Sequence, residues 1–268
     1  FNLPRRPIFD EDINDLGLPV TEITMADAMR DLGYTTVAVG KWHLGLAKHF
    51  HPLSRGFDQF FGFLMGSRSY FPLGEDANPD VHLLDDWERQ PEPEYLTDAL
   101  AEETASRIER LQHERFFMYV NFNAVHTPMH ATPDDLARFE DVTPPRRRTL
   151  AAMTVSLDDG VATILNKLRE LDLEDNTMVF FVNDNGGATN NASNNAPLRG
   201  QKGDKFEGGI RVPAMVQWPA RLVRGADFDA PITSMDILPT IVAVAGGDVA
   251  NRTLDGVNLL PFLTGAIA

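Results

Sequence analysis

A lysine and a histidine lie two residues apart in the segment GKWHLG, residues 40–45. The flanking glycines permit a tight backbone path. Lys41 could hold an oxyanion with its charge, and His43 could move a proton with its ring. The alternative is a surface turn with Trp42 packed below it, and the hexapeptide alone does not separate the two interpretations.

A second histidine, His126, occurs in the segment NAVHTP, residues 123–128. The pKa of a histidine is ordinarily close to neutrality, so this side chain could protonate a leaving group. The alternative is a hydrogen-bonded structural histidine, which is the more common role of a single histidine.

A carboxylate and an amide stand side by side in the segment NDNGG, residues 183–187. The oxygens of Asp184 and Asn185 suit a hard cation such as Ca²⁺. Two oxygen donors do not complete a metal site, and Asn-Gly and Gly-Gly pairs are also strong signals for a plain turn.

Glycines and cations alternate in the segment LRGQKGDKFEGGIRVP, residues 198–213. Lys202 could reach into an anion site from this loop. The alternative is a solvated loop, in which an exposed lysine needs no further explanation.

Each of these segments is adjacent to a predicted buried strand. The predicted strands are uncharged, β-rich runs at residues 34–39, 116–122, 177–182 and 212–218. Helical spacing of apolar residues predicts helices after Thr24, from Thr97, over about residues 147–171 and over residues 236–245. Residues 64–93 show no sustained period and are predicted to be irregular.

The alternation of strands and helices predicts an α/β fold with a mostly parallel sheet covered by helices on both faces. Ligands bind beyond the carboxyl ends of the strands in such sheets. We therefore expect the lysines, the histidines and the carboxylate–amide pair to share one edge of one sheet. That combination predicts a pocket for a compact oxyanion beside a metal.

The composition limits the classes of partner. With 24 Lys and Arg against 39 Asp and Glu, the formal net charge of −15 argues against nucleic-acid binding. No run of about 20 apolar residues is present, so no membrane span is expected. The start of the chain lacks a basic stretch followed by an apolar one, so no signal peptide is predicted there. Because the chain has no cysteine, it contains no thiolate ligand and no cysteine nucleophile.

Taken together, these motifs resemble the type I, formylglycine-dependent sulfatases of the alkaline phosphatase superfamily. The segment GYTTVAVGKWHLG, residues 33–45, is similar to the second family signature along its whole length. Three further elements follow in the order and spacing of the family: DNG at 184–186, the Lys202 loop with EGGIRVP at 207–213, and DILPT at 236–240. The resemblance covers about residues 18–263.

The resemblance implies an alkaline phosphatase-like mixed sheet and hydrolysis of a sulfate ester to an alcohol or phenol plus sulfate. It implies that Asp184 and Asn185 bind a divalent metal, usually Ca²⁺, with Mg²⁺ as the alternative. Lys41 and Lys202 would hold sulfate oxygens. His43 would contact the hydrated aldehyde nucleophile and help to eliminate sulfate, and His126 would protonate the departing oxygen.

In this family the nucleophile is a formylglycine made from a Cys/Ser-x-Pro-x-Arg motif, and a pair of aspartates on the first strand completes the metal site. Neither feature is found in this chain. The family places both upstream of the second signature, where this chain has only residues 1–33. We therefore interpret residues 1–268 as a catalytic-domain core truncated at both ends. It would lack the nucleophile segment and most of the smaller C-terminal subdomain, which leaves open whether this chain is active alone.

Two other functions fit the same residues. One is a non-catalytic relative that binds a metal or an anion, and the other is a phosphate or phosphonate ester hydrolase of the same superfamily. The expected partner is a small-molecule or glycan sulfate ester. Its identity is expected to depend on residues 64–93 and on the loop at 190–195.

Overall fold

The computed structural model describes residues 16–249 and 253–266. Internal contacts divide these residues into two compact units. The first unit contains the described residues up to 141 together with residues 151–164. The second contains residues 142–150 and the described residues from 165 onwards.

The first unit is built on a five-stranded mixed sheet. Its strands are β1 (Thr35–Lys41), β2 (Gln59–Phe63), β3 (Leu84–Asp85), β4 (Glu88–Arg89) and β5 (Phe116–Asn121). The spatial order is β4-β3-β2-β1-β5, in which β1 is parallel to both β2 and β5, whereas β3 and β4 are antiparallel additions. The carboxyl ends of β1, β2 and β5 therefore lie at the same edge of the sheet.

Three helices and part of a fourth accompany this sheet. They are α1 (Met25–Asp31), α2 (Leu96–Arg110), α3 (Pro133–Ala137) and the 26-residue α4 (Pro145–Glu170), of which residues 151–164 belong to the first unit. Thr24 caps α1 as predicted, in a capping box with Asp27. The core joins the sheet to α2 and α4 through the fully buried side chains of Val37, Leu100 and Met153.

The second unit contains a separate pair of strands. β6 (Val179–Val182) and β7 (Ala214–Gln217) are antiparallel and form a two-stranded sheet. The unit also contains the end portions of α4 and the short helices α5 (Glu207–Ile210), α6 (Ile237–Val244) and α7 (Leu260–Leu263). Gly246, at φ +82°, follows α6 and ends it, as predicted.

The mixed sheet with accompanying helices is confirmed, but the prediction that all four motif-bearing strands share one sheet is wrong. Parallel neighbours need a crossover connection, which is usually a helix. The chain between β6 and β7 instead holds one 3₁₀ turn at Thr189–Asn191 and the four-residue α5. It returns β7 alongside β6 in the opposite direction.

The four predicted strands and the four predicted helices are all present, with ends that shift by a few residues. The segment predicted to be irregular, residues 64–93, differs in one respect. It contains the β3–β4 hairpin and a 3₁₀ turn at Pro79–Val81, because strands of two residues are too short to produce a periodic pattern. None of the helices in the described ranges combines the length and the apolar character that crossing a membrane requires.

Candidate active site

Lys41 is the last residue of β1 and is half-buried. Its backbone carbonyl accepts a hydrogen bond from Asn121 Nδ2 at 2.8 Å, which ties the end of β1 to the end of β5. The preceding Gly40 has φ +104°, and a Cβ there would lie 2.1 Å from the Asn121 carbonyl oxygen. Only glycine permits this close approach of the two backbones. Gly40 therefore determines the position of the Lys41 backbone at the end of β1.

His43 lies just beyond the same strand end, with its backbone in the left-handed region at φ 57°. Its amide donates to the Leu64 carbonyl at 3.0 Å, and a Cβ on Gly66 would lie 2.5 Å from Nε2 of the imidazole. The ring therefore rests directly on the backbone at Gly66. Trp42 is buried below this turn and donates from Nε1 to the Phe50 carbonyl at 2.8 Å, so the turn is anchored in the core.

His126 follows β5 at the same edge of the first unit's sheet. Its amide donates to the Asn123 carbonyl at 2.9 Å, which closes a turn. Its Nδ1 lies 2.7 Å from the Thr127 carbonyl oxygen. Because a carbonyl only accepts, Nδ1 carries a proton in this contact, and any proton transfer by this ring would go through Nε2.

Tyr70 also belongs to this region, and the sequence analysis missed it. Its hydroxyl lies 2.7 Å from the Asn123 carbonyl and 2.9 Å from the His126 carbonyl. The side chain is fully buried, and burial raises the pKa of its phenol well above the ordinary value. The contact spans 56 positions along the chain, and no local pattern signals such a pair.

In the second unit, the Asp184–Asn185 pair follows β6 in a turn held by glycines. The Gly186 amide donates to the Gly209 carbonyl at 2.9 Å, and a Cβ on Gly186 would lie 1.9 Å from the Gly208 carbonyl oxygen. Asn185 Nδ2 donates to the Gly186 carbonyl at 3.0 Å, which leaves its Oδ1 as an acceptor. Asp184 is exposed.

Asn195 connects this turn to the Lys202 loop. Its Oδ1 accepts from the Gly187 amide at 2.9 Å, and its Nδ2 donates to the carbonyls of Gly187 at 2.8 Å and Gly200 at 3.2 Å. The Lys202 amide donates to the same Gly187 carbonyl at 3.3 Å. The structure thus brings Lys202 together with the Asp184–Asn185 turn, and the Lys202 side chain is exposed. The importance of Asn195 was not apparent from the sequence.

Two arginines at the start of α4 support the neighbouring loop of the second unit. Arg147 Nη1 donates to the Ala192 carbonyl at 3.1 Å, and Arg146 donates to the Asn190 carbonyl. Ala192 has φ 65°, so these bonds stabilise a bend that an alanine adopts at some cost. The loop expected to influence specificity is therefore braced by side chains 44 and 45 positions earlier.

The oxygens of Asp184 and Asn185 fit part of a site for a hard divalent cation. Carboxylate and amide oxygens are what Ca²⁺ and Mg²⁺ prefer, and the hydrogen bond made by Asn185 directs its NH₂ group to the backbone and keeps its carbonyl oxygen available. Within residues 16–249 and 253–266, no cluster of three or more His, Cys, Asp or Glu side chains could hold a metal. The pair could supply two of the ligands that such an ion needs.

A lysine and two histidines lie at strand ends of a mixed α/β sheet, and an oxygen pair lies beside a second lysine. These side chains can bind a compact oxyanion and transfer protons, as the cleavage of an oxyanion ester requires. The sulfatase family model matches residues 10–247. The chain belongs to the sulfatase family, which confirms the resemblance derived from its motifs.

Among curated proteins, the chain is 34% identical over 265 residues to human N-acetylgalactosamine-6-sulfatase, covering 92% of this chain and 49% of the relative. It is 31% identical over 252 residues to mouse arylsulfatase J, covering 90% of this chain and 42% of the relative. The chain thus spans about half the length of the curated relatives it matches.

Among solved structures, the chain is similar to Ps i-CgsB in complex with k-i-k-neocarrahexaose. The TM-score is 0.89 at 34% identity, over 97% of this chain and 60% of that one. A phosphonate monoester hydrolase from Silicibacter pomeroyi matches with a TM-score of 0.64 at 16% identity, over 94% of this chain and 63% of that one. This second likeness shows the fold alone, and it agrees with the predicted alkaline phosphatase-like architecture.

Proposed function

We propose that the protein hydrolyses sulfate esters and that this chain carries most of the side chains that bind the sulfate and release the alcohol. The observation that carries the proposal is the edge of the first unit's sheet. There Lys41 is the last residue of β1, His43 lies two residues beyond it, and His126 follows the parallel neighbour β5. Family membership supports the same conclusion.

The lysines are assigned to the sulfate group. Cleavage of the ester S–O bond places negative charge on the transferring group and on the leaving oxygen, and fixed cations stabilise both. Lys41 is held where β1 ends by the hydrogen bond from Asn121. The backbone N–H of Lys202 donates a hydrogen bond to the Gly187 carbonyl. The backbone at each lysine is therefore set before substrate binds.

The histidines are assigned to proton transfer. His126 would give a proton from Nε2 to the departing oxygen, because an alkoxide is a poor leaving group without one. The hydrogen bond of Nδ1 to the Thr127 carbonyl sets the orientation of this ring. His43, whose ring rests on Gly66, is assigned to a proton at the nucleophile.

Sulfatases of this family generally use a divalent metal and formylglycine. We assign Asp184 and Asn185 as metal ligands, with Ca²⁺ as the expected ion and Mg²⁺ as the alternative. A bound cation would polarise a sulfate oxygen, and the formylglycine would supply the nucleophile. The residues of this chain would bind and orient the ester, give a proton to the departing oxygen and take one from the nucleophile.

We propose a sulfated sugar as the substrate. Support comes from Ps i-CgsB, whose structure holds a neocarrahexaose, and from a relative named for N-acetylgalactosamine 6-sulfate. At a lower identity of 18%, a further structural neighbour is described as holding D-glucosamine-2-N,6-O-disulfate. These are ligands of other proteins, and they suggest the class of compound to test first.

The test is turnover of matched aryl sulfate and aryl phosphate esters by the intact protein, followed by a panel of sulfated mono- and oligosaccharides. We expect sulfate release with Ca²⁺ and little phosphate release. Faster phosphate release would favour the phosphate ester alternative. Absence of turnover together with calorimetric binding of Ca²⁺ or sulfate would favour the non-catalytic alternative. As a side-chain control, Lys41→Ala should abolish most turnover, whereas the same change at the exposed Lys48 should not.

A further inference from the structure

Tyr70 lies in the long segment after β2, in the core of the first unit. Its ring stacks on Tyr95 with centroids 5.8 Å apart and an interplanar angle of 26°. Its backbone carbonyl accepts from the Leu96 amide at 2.8 Å, at the start of α2. Both the ring and the backbone of Tyr70 are therefore fixed by elements that do not belong to the catalytic edge.

The hydroxyl of Tyr70 reaches the turn that carries His126. It is within hydrogen-bond distance of two carbonyl oxygens, at 2.7 Å for Asn123 and 2.9 Å for His126. These carbonyls lie at the two ends of the turn that is closed by the His126 amide. A hydroxyl has one proton, which the two acceptors share.

The burial of Tyr70 favours the protonated form of its phenol. Removal from solvent raises the pKa of the phenol, because the charged phenolate is not solvated. The hydroxyl therefore stays protonated and remains a donor. Burial also means that the hydroxyl has no aqueous alternative to these two carbonyls.

We propose that Tyr70 is a positioning residue for His126. By holding both ends of the turn that carries His126, Tyr70 sets the direction in which Nε2 of that histidine points. The proposal rests on the proposed function, in which His126 protonates the leaving group. The ring of His126 is already bound through Nδ1 to the Thr127 carbonyl, one residue beyond the carbonyl that Tyr70 holds. A shift of the turn would therefore move the ring with it, and proton transfer is sensitive to such displacements.

Tyr95 provides a matched control. It is 4% exposed, and its hydroxyl also donates to a backbone carbonyl, that of His130 at 3.0 Å. The substitutions Tyr70→Phe and Tyr95→Phe each remove one buried hydroxyl from the same cluster of rings. Only the first removes a contact to the His126 turn, so the two variants separate positioning from a general loss of packing.

The experiment measures kcat and KM for a series of aryl and alkyl sulfates that differ in the acidity of the alcohol released. A proton donor matters most for poor leaving groups. We expect Tyr70→Phe to lower kcat about 10-fold for alkyl sulfates and less than about 3-fold for 4-nitrophenyl sulfate, with KM unchanged, since displaced catalytic groups lose up to about 100-fold. Tyr95→Phe should leave the dependence on leaving group unchanged.

Two outcomes overturn the proposal, and they are distinguishable. Absence of sulfate release by the unsubstituted protein overturns the proposed function and with it the role of Tyr70. An unchanged leaving-group dependence in an active Tyr70→Phe variant overturns the role of Tyr70 alone, and an equal uniform loss in Tyr95→Phe then assigns Tyr70 to packing.

Hydrogen exchange in the unsubstituted protein gives a test that does not require the variant to fold. If Tyr70 holds the turn, the His126 amide, which donates to the Asn123 carbonyl, should exchange about as slowly as the amides of β5. Exchange at the rate of an exposed loop would contradict the proposal.

Discussion

The two units hold their candidate catalytic residues in different physical ways. In the first unit, Lys41 ends a buried strand, and the fully buried Tyr70 forms a hydrogen bond to the turn that carries His126. In the second unit, Asp184 and Lys202 are exposed. The side chain of Asn195 fixes the turn after Asp184 through hydrogen bonds to the backbone of Gly187. Site geometry in the first unit therefore depends on the core, whereas in the second it is largely separate from the core.

This difference implies that function and stability should fail together in the first unit and separately in the second. The removal of a core contact costs both packing and geometry. The removal of an exposed lysine costs neither, because an exposed side chain contributes little to the free energy of unfolding. The predictions below test this division.

The largest expected effect is on turnover. We expect Lys202→Ala to lower kcat/KM for a sulfate ester about 100- to 1,000-fold, as for the loss of one group that stabilises transition-state charge. The midpoint temperature of thermal unfolding of this variant should equal that of the unsubstituted protein, because the Lys202 side chain is exposed. Lys205→Ala, in the same loop and also exposed, is the control and should retain full activity. A clear drop in the midpoint temperature of Lys202→Ala would contradict the separation.

The next effect is on stability in the first unit. A Cβ on Gly40 would lie 2.1 Å from the Asn121 carbonyl, at a φ of +104°. We expect Gly40→Ala to lower the free energy of unfolding by about 3 kcal/mol, from overpacking and backbone strain together. Thermal and urea unfolding measure this change. Gly74→Ala, with nothing within 4 Å of its Cβ, should be neutral. A Gly40→Ala variant of normal stability but low activity would contradict the expectation that stability and activity are lost together in the first unit.

The sequence is sufficient to predict most elements of the first unit and which motifs follow its strands. The β-rich, uncharged run at residues 34–39 predicts β1, and Thr24 predicts the cap of α1. Two kinds of feature were not predictable. The partner of β7 depends on how a 31-residue connection folds, and the contacts of Tyr70 and Arg147 join residues dozens of positions apart. Periodicity reports burial, and it carries no information about such pairs.

A smaller effect is expected at Asn195, and it should appear in metal affinity. Asn195→Ala removes three hydrogen bonds to Gly187 and Gly200, which loosens the turn after Asp184. We expect Ca²⁺ affinity to fall about 10- to 100-fold, as for the loss of a group that orients metal ligands. Titration calorimetry of the intact protein measures it.

Asn194→Ala is the control for this change, because Asn194 lies in the same loop and its side chain accepts from the Ala196 amide. It should leave Ca²⁺ affinity unchanged. If both variants bind Ca²⁺ as tightly as the unsubstituted protein, Asn195 does not hold the turn. The turn after Asp184 would then be held by its glycines.

The smallest effect at neutral pH concerns His51, in the interior of the first unit. Burial lowers its pKa to about 4, from 6.5, and its ring stacks on Trp87 with centroids 3.8 Å apart. The unfolded chain therefore binds a proton at higher pH than the folded one, so the free energy of unfolding decreases as the pH falls from about 6.5 through about 4. Above that window His51 is neutral in the folded and the unfolded chain, and the effect vanishes.

The variant His51→Phe keeps a stacking ring without a titrating group. We expect it to reduce the fall of the unfolding midpoint temperature at acid pH, which we call the acid limb of the plot against pH. His113→Ala removes an exposed histidine and should leave that limb in place. If His51→Phe and the unsubstituted protein lose stability equally in acid, the interior of the first unit does not set its acid sensitivity. The contrast with the exposed candidate residues of the second unit would then be confined to geometry.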